Sequence, residues 1–361
     1  MSYYVGMDLH STNTVIGIIN DREEKVFSRR LRNNIHLILK QLERFKPEVE
    51  GIVFESTFNW YWLADGLAGA GYEVHMANPC AIQQYKGLKY TNDQHDAYWL
   101  ATLLKLGILA EGHIHSKPER QLRDLLRKRL MLVQQRTQHI LSYKSLMNRN
   151  LSEHVTSNVI KTLDEDDIDQ LISDKHLNLS ARANIAMMNS LNERIKLIEK
   201  EVLACTRLKP EFENLMTVPG IGKSLALTIC LETGNINRFS SAGNYASYCR
   251  CVPSKRISNE KRKGQNNRKN GNKYLSWAYV EAANFAKRFN PTIRKYFDKK
   301  MRKTNKIIAI KALASKLSKA CYYILKDKVN FDVMKLLGIP KNLDIGYGSK
   351  PKRGLASTQT H

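Results

Sequence analysis

Three short apolar runs open the chain: YYVGMD at 3–8, TVIGIIN at 14–20 and KVFSRRL at 25–31. Each is β-branched or apolar, and polar or charged residues break the chain between them, which predicts three meandering strands. The period then changes. In NIHLILKQLERF at 34–45, Ile35, Ile38, Leu39, Leu42 and Phe45 share one face of a helix. GIVFE at 51–55 predicts a buried strand. A helix over 59–69, a strand over 72–76, a short helix over 79–86 and a longer one over 93–106 follow. The order βββαβαβα predicts a mixed sheet with helices packed on its faces.

Beyond about residue 118 the texture is long, polar and helical. Leu122, Leu125, Leu126, Leu130, Val133 and Ile140 form one stripe over 119–150. Ile185, Met188, Leu191, Ile195, Ile198 and Val202 form another over 180–204, and the acidic run DEDDID at 164–169 interrupts between them. This predicts an antiparallel helical hairpin or a coiled-coil oligomerisation arm. Residues 206–335 are basic, with a Gly/Asn-punctuated loop over 259–272 and helices over 273–288 and 304–326. The tail after Pro340 is rich in Gly, Lys, Ser and Thr, a composition that favours disorder. The expected class is α/β plus α. Its parts are a mixed-sheet domain over 1–117, a helical connector over 118–205, a mostly helical domain over 206–335 and a disordered tail over 336–361.

Charge sharpens this division. The net charge is +24. Residues 1–240 hold 30 Lys and Arg against 28 Asp and Glu, whereas residues 241–361 hold 28 against 6, so the last third carries nearly all the excess. Such asymmetry points to a polyanionic partner. No apolar run approaches the ~18 residues of a membrane span, and the N-terminus lacks a signal-peptide pattern, so a cytoplasmic, nucleoid-associated protein is expected. The six cysteines follow neither a disulfide framework nor zinc-ligand spacing.

Four acids stand at element ends. Asp8 closes the first strand, Glu55 ends GIVFE, and Asp93 and Asp96 open the helix DQHDAYWLATLL, where an i, i+3 pair projects from one face. Carboxylates gathered at one point repel unless a cation neutralises them, and such oxygen ligands suit Mg2+ or Mn2+. Two such ions ~4 Å apart can activate an attacking oxygen and stabilise a leaving one in phosphodiester chemistry. Taken singly each acid has an ordinary use: Asp8 in a turn, Asp93 as a helix N-cap, Asp96 as the acid three residues on. His10 and His95 lie near the acids and are weighed only as outer groups.

The acids in these contexts resemble the DEDD transposases of insertion sequences, the Piv-like group. VGMDLHSTNTVIGII is similar to their first strand pair, VFEST with NWYWLADGLAGAGYEVHMANP to their Glu segment, and TNDQHDAYWLA to their paired-Asp segment. The C-terminal stretches LMTVPGIGKSLALTICLETGNINRFSSAGNYASYCRCVPSKRISN and RKNGNKYLSWAYVEAAN also resemble the family. The resemblance implies a ribonuclease-H-like front domain similar to the Holliday-junction resolvase RuvC, a coiled-coil connector and a C-terminal transposase domain. It further implies a serine nucleophile that forms a 5′-phosphoserine bond with DNA. The matching position is Ser258 in CVPSKRISN, with Ser254 close by. The family usually has Ser-Gly there; this chain has Ser258-Asn259, and asparagine tolerates left-handed backbone. A Lys usually just precedes the first Asp of the pair, whereas here the nearest is Lys89. The resemblance also implies a composite site in a homo-oligomer, a dimer or tetramer, and in many members a structured guide RNA, the bridge RNA.

VPGIGKSLALTICLETG at 218–234 has the form of a helix-hairpin-helix. Gly220 and Gly222 permit a tight turn, and Lys223 stands at the following helix N-terminus, which can bind phosphate. Arg250, Lys255, Arg256, Lys261, Arg262, Lys263, Arg268, Lys269 and Lys273 are the expected nucleic-acid contacts. The expected activity is recombination of DNA. The alternatives are a RuvC-like nuclease that uses the acids alone, and a non-catalytic nucleic-acid-binding protein.

Overall fold

A computed structural model describes residues 1–82, 92–206, 210–254, 256–264 and 270–338. Strands β1 (Tyr3–Leu9), β2 (Asn13–Asn20) and β3 (Lys25–Arg32) form an antiparallel meander. Helix α1 (Ile35–Leu42) and a 3-10 turn lead into β4 (Val49–Glu55), α2 (Tyr61–Gly69) and β5 (Val74–Ala77). Then come α3 (Pro79–Ile82) and α4 (Asp93–Lys105). The helix expected over 79–86 is described as far as Ile82, and Lys89 lies outside the described residues. The sheet order is β3-β2-β1-β4-β5, with β1, β4 and β5 parallel. This is the mixed sheet with flanking helices expected of a ribonuclease-H-like domain.

Side chains alternate between the two faces of a strand. Val5, Met7 and Leu9 of β1 and Phe54 of β4 pack with α1 and α2 residues such as Ile38, Leu42, Leu63 and Leu67. Val53 points the other way, into a cluster with Leu100 and Leu103 of α4. Gly6 shares that second face. Its lack of a side chain lets α4 lie directly on β1, since a Cβ there would stand 1.8 Å from the Ala97 carbonyl oxygen.

The connector is a hairpin within one chain. Helix α5 (Lys117–Leu151) is followed by short helices α6 (Ser157–Ile160) and α7 (Glu165–Leu171), and then by α8 (Lys175–Thr206). Arg129 bonds Glu199, Arg136 bonds Asn192, and His139 meets Asn184, so the two long helices run antiparallel. The acidic run is a helix start, not an interruption: Asp164 and Asp167 form a capping box, and Arg182 pairs with Glu165 and Asp169. At its root, α5 buries Arg120 over the rings of Trp60 and Tyr61, paired with Asp65 of α2.

The remaining elements are α9 (Pro210–Met216), α10 (Lys223–Thr233), α11 (Ala242–Tyr248), β6 (Arg256–Ser258), β7 (Lys261–Gly264), α12 (Lys273–Phe289), α13 (Pro291–Lys303), α14 (Lys306–Asp327) and α15 (Val333–Leu337). The stretch expected as a loop over 259–272 begins as the turn and second strand of a β6–β7 hairpin. Helix α13 was not expected. Its apolar residues Ile293, Tyr296, Phe297 and Met301 recur at helical spacing among charged ones, Ile293 and Phe297 are buried, Asn290 caps it and Pro291 stands at its first position.

The chain divides into two compact units. The first comprises Met1–Thr206, Leu231–Gly234 and Pro253–Lys273. Within it, buried Glu232 accepts a bidentate bond from Arg127, at 2.6 and 2.7 Å, and a third bond from Asn272 at 2.7 Å. The described residues of the second fall in 210–230, 235–252 and 274–338. Its core holds Tyr245 and Tyr279, hydroxyl to hydroxyl at 2.8 Å, with Tyr322 donating to the Phe239 carbonyl. Burial pushes the thiols of Cys249, Cys251 and Cys321 up, the last two to about 12, which disfavours the reactive thiolate.

Candidate active site

Met7 of β1 lies beside Phe54 of β4, so Asp8 and Glu55 are the next residues along two adjacent parallel strands. By alternation both occupy the face on which α4 lies, Asp8 with Gly6 and Glu55 with Val53. Helix α4 begins there. Its N-cap is Asn92, whose side chain accepts from the His95 N–H at 2.8 Å. The capping alternative for Asp93 therefore fails, and the Asp93 carboxylate turns instead to His10 and Arg30.

His10 Nε2 lies 3.1 Å from Asp8 Oδ2 and 3.3 Å from Asp93 Oδ2. That nitrogen is buried and lies between the two oxygens. One ligand atom from each of Asp8, His10 and Asp93 falls within 4.8 Å of the others. Glu55 and Asp96 are not members of that tight group, although Asp96 is near enough to act on Asp8. Burial pushes the Asp8 carboxyl above its ordinary value; His10 pulls it back, Asp93 and Asp96 push it further up, and Arg30 lowers it. The hydrogen bond from Arg30 holds Asp93 below its ordinary value, helped by the charge of His10. Two carboxylates facing a buried ring nitrogen fit a divalent cation.

The backbone of His10 is fixed. Its carbonyl accepts from Asn33 Nδ2 and from Asn59 Nδ2, each at 3.0 Å, and its N–H donates to the Asn13 carbonyl. Asn33 is itself held by Thr14. Sequence reasoning passed over Arg30, Asn33 and Asn59 and underweighted His10. Only His10, two residues from Asp8, carried a local signal.

Ser258 is exposed at the end of β6, directly opposite Lys261. Between them Asn259 and Glu260 both have positive φ, 49° and 59°, as a two-residue hairpin turn requires. Asparagine thus occupies the left-handed position expected of it. Ser254 differs: its hydroxyl is buried, without a hydrogen-bond partner among the described residues. Lys261, Lys263 and Lys273 are exposed. Arg250 is half-buried just after α11, with φ 54°. Lys255, Arg268 and Lys269, and the side chains of Arg256 and Arg262, lie outside the described residues.

At the α9–α10 turn, Gly222 and Lys223 are exposed at the start of α10. Gly220 has the positive φ that the expected tight turn requires, and a packing task besides. With φ 92°, it lies so close to α12 that a Cβ would stand 2.4 Å from the Ala286 nitrogen, so this glycine serves helix packing.

Among the described residues no helix is long and apolar enough to cross a membrane. No curated protein matches the chain. Two family models do match it. Residues 5–150 match the transposase model of DEDD, IS110 type, and residues 212–298 match the model described as Transposase IS116/IS110/IS902 family. The first covers Asp8, Glu55, Asp93 and Asp96; the second covers the α9–α10 turn and Ser258. Together they span well over half of the chain, in the expected order. On this fold, these acids and these matches, the chain belongs to the DEDD-type insertion-sequence transposases and is a DNA transposase.

Proposed function

We propose that the chain is the site-specific recombinase of an insertion sequence, cutting and rejoining DNA through a 5′-phosphoserine at Ser258. The observation that carries this reading is the convergence of Asp8 and Asp93 on His10 at the carboxyl end of β1, in a family that implies a divalent metal. Asp8, Glu55, Asp93 and Asp96 are the residues to hold Mg2+ or Mn2+. A bound divalent ion supplies charge that activates an attacking oxygen and stabilises a leaving one.

Ser258 is the nucleophile in this reading. Its Oγ attacks phosphorus; the Oγ–P bond forms as the bond to the 3′ oxygen breaks. The serine proton passes through a neighbouring base to the 3′ oxygen, which leaves as a hydroxyl. Reversal with a different 3′ hydroxyl rejoins strands and needs no ATP, because the phosphoserine ester retains the bond energy. Exposure at a hairpin turn opposite Lys261 gives Ser258 access to DNA and a cationic setting. The buried hydroxyl of Ser254 is less suited to that role.

The basic C-terminal third supplies contacts to DNA at element ends and target, and to a bridge RNA. Exposed Lys261, Lys263 and Lys273 belong to this set, and Lys223 at the start of α10 joins them. In this reading residues 1–117 form the acid-bearing domain, 118–205 the connector of a homo-oligomer and 206–335 the transposase domain, acting in the cytoplasm at the nucleoid.

Peptide mapping tests the nucleophile. After reaction with element-end DNA and digestion of that DNA, the peptide containing Ser258 is expected to carry a nucleotide. Modification at Ser254 would move the nucleophile. DNA cleaved with no modified peptide would favour a metal-dependent nuclease that uses water.

A further inference from the structure

Resting on the metal-centre reading above, we infer that His10 Nε2 is itself a ligand of the divalent cation, and that the site therefore favours Mn2+ over Mg2+. The acids of the family resemblance do not include this imidazole. Its placement has three features of a ligand.

The first is distance. Neighbouring ligands of an octahedral ion with bonds of about 2.1 Å lie about 3 Å apart. His10 Nε2 is 3.1 Å from one carboxylate oxygen and 3.3 Å from the other. The second is direction. An imidazolium acting as counter-ion would aim its N–H along a hydrogen bond to Asp8 or Asp93. The buried Nε2 instead sits almost equally far from both oxygens, at 3.1 and 3.3 Å, and is committed to neither alone. The third is rigidity. Asn33 from the end of β3 and Asn59 from the loop after β4 both donate to the His10 carbonyl, and Asn13 accepts from its N–H. A short segment tied at both backbone groups presents its side chain in a fixed place, as ligand positions require.

The consequence is selectivity. Carboxylate and water ligands accept Mg2+ readily, whereas an imidazole nitrogen shifts preference toward transition ions. Mn2+ shares the oxygen preference of Mg2+ and accepts an imidazole nitrogen more readily, so one nitrogen in a set otherwise of oxygens favours it over Mg2+.

The test is pulsed electron paramagnetic resonance on the full chain loaded with Mn2+, together with calorimetric titration of Mn2+ and Mg2+. Wild type is expected to show nitrogen modulation of the Mn2+ echo. His10→Ala is expected to lose the modulation and to bind Mn2+ about tenfold more weakly, with a smaller loss for Mg2+. His10→Gln, with an oxygen in reach, is expected to regain Mg2+ binding without the modulation. Alanine and glutamine keep the backbone groups that Asn33, Asn59 and Asn13 hold, and circular dichroism checks the fold. Mn2+ bound by wild type without nitrogen modulation, or modulation retained in His10→Ala, would overturn the inference. Mn2+ binding that is indifferent to both Asp8→Asn and Asp93→Asn would overturn the metal-centre reading with it.

Discussion

Gly6 and Ala97 meet backbone to backbone: a Cβ on Gly6 would stand 1.8 Å from the Ala97 carbonyl oxygen. Neither residue has chemistry of its own. Their contact sets how far α4 lies from β1, and so how near Asp93 comes to Asp8. Gly6→Ala must push α4 outward. Overpacking costs ~1–3 kcal/mol, and a clash with backbone lies at the upper end. Thermal denaturation should show a lower Tm, and calorimetry a weaker divalent-ion affinity. A destabilised variant with unchanged affinity would mean that this packing distance does not govern the site.

In the proposed metal site Arg30 would compete with the cation for Asp93. Its guanidinium holds the same Oδ2 that faces His10, and the arginine side chain is largely exposed and free to swing away. Arg30→Gln should tighten Mn2+ binding several-fold, measured by titration of metal-free protein. Weaker binding in Arg30→Gln would show that the guanidinium orients Asp93 for the ion.

Asp8 is held at a cost to stability. Its folded-state pKa is raised above 3.8, chiefly by burial, so folding disfavours its ionised form. Above the raised value the carboxyl is charged in both states and the penalty is complete; below 3.8 it is protonated in both and the penalty is gone. Asp8→Asn should therefore raise the Tm of the metal-free chain at neutral pH. The gain should shrink as pH falls through the raised pKa toward 3.8. A gain independent of pH would point to packing instead of charge. Saturating divalent ion should reverse the order of the two Tm values, because only the wild-type site binds it well.

Much of the N-terminal fold was legible because its signals are local and agree. The β-branched runs of β1, β2 and β4, the Ile38 and Leu42 spacing of α1 and the acids at element ends all point to one sheet. What failed depended on charge-rich segments or on tertiary neighbours. The β6–β7 hairpin strands are short and, Ile257 and Gly264 apart, built from Arg, Lys and Ser, which carry no strand pattern, and in α13 the stripe of Ile293, Tyr296, Phe297 and Met301 is set in a highly charged run. Asp93 looked like a cap because Asn92, one residue earlier, is an equally good one. The tight turn at Gly220 is legible from the sequence, whereas no sequence pattern shows α12 packed against it. The weight of His10 rested on Asn33 and Asn59, which are distant along the chain and adjacent in space.

The Arg127–Glu232–Asn272 network is a second stability test, away from the acids. Glu232 is 1 % exposed and depends on Arg127 for its counter-charge. Among the described residues Arg127→Ala leaves that buried carboxylate with Asn272, and removal of one partner of a buried pair costs ~3–5 kcal/mol. Arg127→Ala combined with Glu232→Gln should recover part of the loss in urea denaturation. A double variant no better than the single one would show that packing of the arginine stem is what matters.

The most direct test of the recombinase reading is trapping on labelled element-end DNA with Mg2+ or Mn2+ and RNA transcribed from the element. Wild type, Ser258→Ala and Asp8→Ala would be compared under denaturing conditions. A covalent protein–DNA complex in wild type, absent from both variants, is the predicted result. Free cleaved ends that persist in Ser258→Ala and vanish in Asp8→Ala would contradict it and make the chain a metal-dependent nuclease.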